Sequence, residues 1–151
     1  MRKSITAQVI LFCLIFAACR TVQPPMPQVV TALSGPERID KHGGLHFDIT
    51  AGAFLTNGFA VSDTVVVAIA GLEVPMSVVT NDCQVAPGEF ALVASPKPTR
   101  PLFATISHGD AATRLGIAHR LTTAGGKITM WQPAADLSFP LPVIISLCKR
   151  Q

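Results

Sequence analysis

Charge is scarce in this 151-residue chain: Asp, Glu, Lys and Arg together make up 14% of it, against 49% hydrophobic residues. That balance excludes global disorder and leaves ample material for the core of one domain. The formal net charge is +3, but Arg2 and Lys3 fall in a segment expected to be removed; ten basic residues then face nine acidic ones. With no basic patch and only a few scattered aromatics, the chain lacks what neutralises a phosphate backbone and stacks bases, so nucleic acid is set aside as a partner. Motifs of chemistry are missing too. There is no GxSxG elbow, no P-loop, no GxGxxG and no internal repeat. No complete catalytic constellation stands in the sequence, so the expectation is a domain without an active site or cofactor of its own.

Long apolar runs are also lacking. The most apolar stretch, Ile5 to Ala18, is broken by Thr6 and Gln8 and falls short of the roughly 18–20 residues a spanning helix needs. Behind Arg2 and Lys3 it reads as the h-region of a targeting segment over 1–19. Its end, Phe16-Ala17-Ala18-Cys19, resembles a bacterial lipobox in which the cysteine thiolate takes the lipid, with Phe16 in place of the usual Leu. The alternatives are lipidation at Cys19 and an ordinary cleaved signal. Both put the mature chain outside the cytoplasm; the first anchors it in a membrane, facing the periplasm or the cell exterior.

Of the four cysteines, Cys13 and Cys19 belong to that segment, leaving Cys83 and Cys148. In an exported compartment they form either a Cys83–Cys148 disulfide, worth about 3–4 kcal/mol in the chain-entropy model, or two buried free thiols.

What is present is turn signals and short strands. Thr21 to Pro36 carries Pro24, Pro25, Pro27 and Pro36 and reads as an extended spacer, giving a linker over 20–37 with a first edge strand at Val29–Leu33. Ile39 to Thr50 predicts two short strands about the Gly43-Gly44 turn, with Leu45, Phe47 and Ile49 inward and His46 and Asp48 outward. Ala51–Ala60 reads as a loop with one helical turn about Phe54-Leu55. Thr64–Ala70 is β-branched and reads as a strand buried on both faces, turning at Gly71-Leu72 into a strand over Glu73–Thr80. Pro75 marks an edge or a bulge there. Strands at Phe90–Ala94 and Leu102–Ser107 flank a loop with three prolines. Asp110 as N-cap and Gly116 as stop define one short helix over about 110–116. Lys127–Trp131 ends a β-domain spanning 38–131. The tail, 132–151, reads as irregular, with an added edge strand at Val143–Leu147. The pattern is an all-β, small antiparallel barrel or sandwich with one short helix.

Candidate chemistry-bearing residues are few. His42 and His46 lie four apart, but Gly43-Gly44 between them spoils both helix and register, and no third ligand follows at metal spacing. His108 precedes the helix start, where Asp110 competes as the cap. Ser107, His108 and Asp110 are too close in sequence to converge as a triad. Cys83 has no neighbouring base to activate it. Phe90, Phe103 and Trp131 are spaced as core residues.

Three pieces in order carry a resemblance: DKHGGLHFDI from Asp40 to Ile49, PGEFALVAS from Pro87 to Ser95, and LFATISHGDAATRLG from Leu102 to Gly116. Together they are similar to the C-terminal β-domain of the S-adenosylmethionine hydroxide adenosyltransferases, relatives of fluorinase and chlorinase. The resemblance implies a nucleoside-contacting surface on the Gly43-Gly44 turn, Asp48, Val79–Asp82 (with Asn81) and Ser107–Asp110. Gly44 stands where that family places an Asn against adenine, Asp48 at a second Asn, and Ser107 at the Asn of the closing strand. The signal segment and linker stand where the family carries its catalytic half. Two functions follow as expectations: a non-catalytic envelope interaction or structural module, or an adenosine- or S-adenosylmethionine-like binding module completed by a partner chain.

Overall fold

A computed structural model describes residues 24–122 and 124–150; the expected signal segment, with Cys13 and Cys19, lies outside the described residues. In chain order the strands are β1 (Gln28–Leu33), β2 (Leu45–Thr50), β3 (Thr64–Ile69), β4 (Leu72–Val79), β5 (Phe90–Val93), β6 (Pro101–Ile106), β7 (Ala118–Thr122), β8 (Ile128–Pro133) and β9 (Leu141–Lys149). Two short α-helices, α1 (Ala51–Thr56) and α2 (Ala111–Arg114), and 3-10 turns at Pro36–Arg38 and Asp82–Gln84 complete the described elements.

Seven strands form one sheet in the order β1-β9-β3-β4-β5-β6-β2. Its end strands, β1 and β2, pack against each other, so the sheet is a nearly closed barrel. Strand alternation fills it: Leu33, Leu45, Phe47, Val65, Val67, Met76, Leu92, Leu102 and Ile145 all point inward and are essentially inaccessible. Helix α1 plugs the interior with Phe54, which stacks on Phe59 at 4.3 Å. β7 and β8 form a separate two-stranded ribbon, joined to the core through Trp131.

Several expectations are corrected. β3 is not buried on both faces; Val65, Val67 and Ile69 face the core while Thr64, Val66 and Ala68 are only half-covered, because no layer of helices among the described residues covers the barrel's outside. The β3–β4 turn is Ala70-Gly71, with φ of +50° and +77°, the two positive values that a tight hairpin with this twist requires. β4 and β5 pair in parallel over Ser77–Val79 and Ala91–Val93, so the sheet is not wholly antiparallel. A ladder that short lets the loop 80–89 make the crossover. Pro75 sits beyond the reach of β5, at a locally free edge of β4. A second helix, α1, stands where one helical turn was expected. Within the spacer over 20–37, the first edge strand expected at Val29–Leu33 is present as β1, at the end of the sheet order. The tail carries β8's end and the long strand β9, and β9 is not an edge: it pairs with β1 on one side and β3 on the other, with Leu141, Val143 and Ile145 facing the core.

The disulfide is corrected as well. Cys83 and Cys148 are free and exposed. Cys148 is on β9, Cys83 in the turn between β4 and β5, and β3 and β4 intervene. At about 4.8 Å per strand that exceeds the ~7 Å Cα separation a bridge tolerates.

Candidate functional site

β6 carries the floor of the site. Leu102, Ala104 and Ile106 face the core, so alternation turns Phe103, Thr105 and Ser107 outward. That outer face is partly roofed. The segment after β4 folds back over it, and Val79, Ala91 and Val93 form a small apolar cluster with Val85 and Phe103. Phe103 therefore packs outside the barrel, not in the core as its spacing suggested. Thr105 and Ser107 lie beyond the cluster, 6% and 2% exposed, and a cleft of about 880 Å³ opens over them.

Four loops and strands converge there. Asp82 and Cys83 come from the 3-10 turn, His42 from the turn before β2, His119 and Arg120 from β7, and Ser107–Asp110 from the β6–α2 corner. The corner is held by its backbone. Ser107 N–H donates to Glu89 O at 3.1 Å, Gly88 N–H donates to Ser107 O at 2.7 Å, and Gly109 N–H donates to Ile106 O at 3.1 Å. His108 takes a left-handed φ of +57° to make the bend, and its Nδ1 lies 3.1 Å from Ser107 Oγ.

Asp110 organises the far end. Its Oδ1 accepts from Thr113 N–H at 3.0 Å, capping α2. Its Oδ2 accepts from Thr113 Oγ1 at 3.0 Å and Arg120 Nε at 2.9 Å. The Arg120 guanidinium lies 5.1 Å from the Trp131 ring centroid. Trp131 Nε1 donates to Asp40 O at 2.9 Å. The Asp40 carboxylate in turn accepts from the His42 and Gly44 amides at 2.8 and 3.0 Å and meets His46 Nε2 at 2.9 Å. Burial works to raise the Asp40 pKa, but the His46 bond, the Gly44 and His42 amides and the His46 charge outweigh it and lower the pKa to about 2. A continuous polar chain thus runs from α2 through the ribbon to the turn at Asp40.

The residues named from the sequence divide. Asp82, Ser107, His108 and Asp110 line the cleft. Gly43 sits against Asp110 with φ +86°, a Cβ there colliding with the carboxylate, and its carbonyl accepts from Ala112 N–H at 3.0 Å; it shapes the wall without lining it. The Gly44 amide is spent on Asp40. Asn81 caps the 3-10 turn through Cys83 N–H at 3.1 Å. Asp48 is on the outer face of β2, bonded to Ser34 at 3.0 Å and beside Arg38, away from the cleft. His42 and His46 part company: His42 lines the cleft, and His46 stacks on Phe103 at 4.8 Å. Thr105, Thr113, His119 and Arg120 are lining residues that sequence reasoning missed. The alternation of Leu102–Ser107 contained the signal for Thr105. Nothing local marked His119 or Arg120, which lie on a strand that was not expected.

Chemically the arrangement offers hydrogen bonds, not a relay. Ser107 and His108 touch, but Asp110 is committed to Arg120 and Thr113 and does not orient the imidazole. Among the described residues, no three His, Cys, Asp or Glu side chains gather as metal ligands.

No protein-family model matches the chain, and no curated protein matches it by sequence. Its structure is similar to that of an uncharacterized conserved protein from Thermotoga maritima, with a TM-score of 0.55 at 17% identity, over 82% of this chain and 38% of that one. A conserved hypothetical protein from Thermus thermophilus also matches, at TM-score 0.38 and 17% identity, over 83% of this chain and 38% of that one. The chain therefore spans well under half the length of either protein, and what it shares with the Thermotoga maritima protein is the fold.

Proposed function

We propose that the chain is an exported, membrane-tethered β-domain that binds a small molecule of nucleoside-like chemistry without transforming it. The observation that carries this is the convergence of Asp82, Ser107, His108 and Asp110, drawn from two distant stretches, around one cleft over the nearly buried Thr105 and Ser107. Such a concave site with a few convergent polar groups is what ligand recognition needs. The three stretches that resemble the hydroxide adenosyltransferase C-terminal domain lie next to one another in the barrel, as β2, β5 and β6–α2. The cleft is open on one side, which leaves room for a partner chain to complete it. Calorimetry and thermal-shift titration of the protein with adenosine and S-adenosylmethionine provide the test. A saturable shift of a few degrees at millimolar ligand is expected; no heat and no shift with either would remove the binding reading.

A second reading, an envelope interaction module, is favoured by a different surface. Val30 is 73% exposed and its cross-strand partner Ile144 is 37% exposed, both on the outer face, where a solvated sheet would carry polar residues. Replacing both with lysine should leave the melting temperature within a few degrees. If this face docks in the envelope, the same change abolishes its cross-linking to envelope partners.

A further inference from the structure

We infer that the cleft is built for a vicinal diol, carried by the ribose of a nucleoside or by a free sugar. The inference rests on the small-molecule reading above and adds which part of the ligand is held. The Thr105 hydroxyl is its starting point. Thr105 is 6% exposed and lines the cleft, and no described group hydrogen-bonds its hydroxyl. No side-chain oxygen or nitrogen among the described residues is both fully enclosed and unsatisfied. The hydroxyl therefore opens into the cleft without a protein partner among the described residues, free to bond a ligand that displaces water from it. Ser107 Oγ follows it on the same face of the strand, two residues on.

The charges favour a neutral ligand. Asp110 is paired with Arg120. Asp82, also in the lining, forms no ion pair among the described residues, so it would repel a phosphate. Its Oδ1 has a long 3.9 Å contact from the Cys83 thiol, a weak donor that a hydroxyl readily displaces. A carboxylate so little engaged accepts two adjacent hydroxyls side by side. The rings in the lining are imidazoles, those of His42, His108 and His119. The nearby Trp131 has a ring face already covered by Arg120, so a flat base finds no broad aromatic platform. Hydroxyl, carboxylate and imidazole are the partners of a polyol.

The test titrates the full-length protein in detergent with adenosine, 2′-deoxyadenosine, adenine and D-ribose by calorimetry. Adenosine should bind at least tenfold more tightly than 2′-deoxyadenosine or adenine. Thr105→Val and Asp82→Asn should each weaken adenosine about tenfold with an unchanged melting temperature. Ribose binding as tightly as adenosine identifies a sugar site, and weaker ribose binding a nucleoside site; both uphold the inference. If 2′-deoxyadenosine or adenine binds as tightly as adenosine, the diol is overturned while the small-molecule reading stands. If none of the four binds at millimolar concentration, both fall.

Discussion

The Asp40 carboxylate holds the turn before β2 through the His42 and Gly44 amides and the His46 ring. Its depressed pKa means that the folded state holds the carboxylate more strongly than the unfolded chain does. The stabilisation is complete above the ordinary value of 3.8 and is lost as pH falls towards about 2. Allowing for partial exposure, it amounts to about 1–2 kcal/mol. Urea melts of the wild type and Asp40→Asn between pH 6 and pH 2 should therefore converge at the acid end. An unchanged gap at pH 2 would mean that Asp40 acts by shape alone. Gly43 is the second residue on which the site depends. Gly43→Ala combines a left-handed φ with a collision against Asp110, and should cost about 2–3 kcal/mol in chemical denaturation.

At the scale of elements, the ribbon β7–β8 decides the cleft. It brings in His119 and Arg120, and it is fastened by Trp131, which is 9% exposed and bonded to Asp40. Trp131→Phe keeps much of the packing and deletes the hydrogen bond. It should cost about 1–2 kcal/mol and speed proteolysis within the ribbon before the barrel melts. Helix α2 is a single turn and relies on its cap and on tertiary packing. Asp110→Ala removes the cap and the Arg120 partner together, and about 1–2 kcal/mol of stability should go with them, measured by thermal melting.

For the molecule as a whole, the barrel closes without a covalent staple between Cys83 and Cys148. Both thiols should react with a thiol reagent under native conditions, and reducing agent should leave the melting temperature unchanged. A rise in reactive thiols only after reduction would restore the bridge. The C-terminal end is tied down by a different contact: Arg150 Nε lies 3.3 Å from Asp63, which is 1% exposed, and Arg150 also donates to Gly58 O at 2.6 Å. Arg150→Ala leaves a buried carboxylate with one partner fewer, and a loss of about 1–2 kcal/mol is expected from the half-exposed pair.

Local chemistry was enough to write much of this architecture into the chain. Alternation placed Leu45 and Phe47 inward, turn residues punctuated the strands, and Asp110 and Gly116 bracketed a helix, because each of these acts within a few residues of itself. Asp82, Ser107, His108 and Asp110 became candidates only through the resemblance of the stretches around them to the hydroxide adenosyltransferase C-terminal domain. Long-range pairing decided the rest. Whether β9 is an edge or an interior strand, whether β4 and β5 run parallel, and how far Cys83 lies from Cys148 are properties of strand order, which a strand's own residues do not encode. Thr105 became a site residue only when a loop roofed part of β6's outer face, and Arg120 only when the ribbon folded back to Asp110. The sequence by itself determined a small β-domain with short strands and a capped turn; tertiary structure alone decided where its polar groups meet, because a cleft is made by segments that never sense one another until the barrel closes.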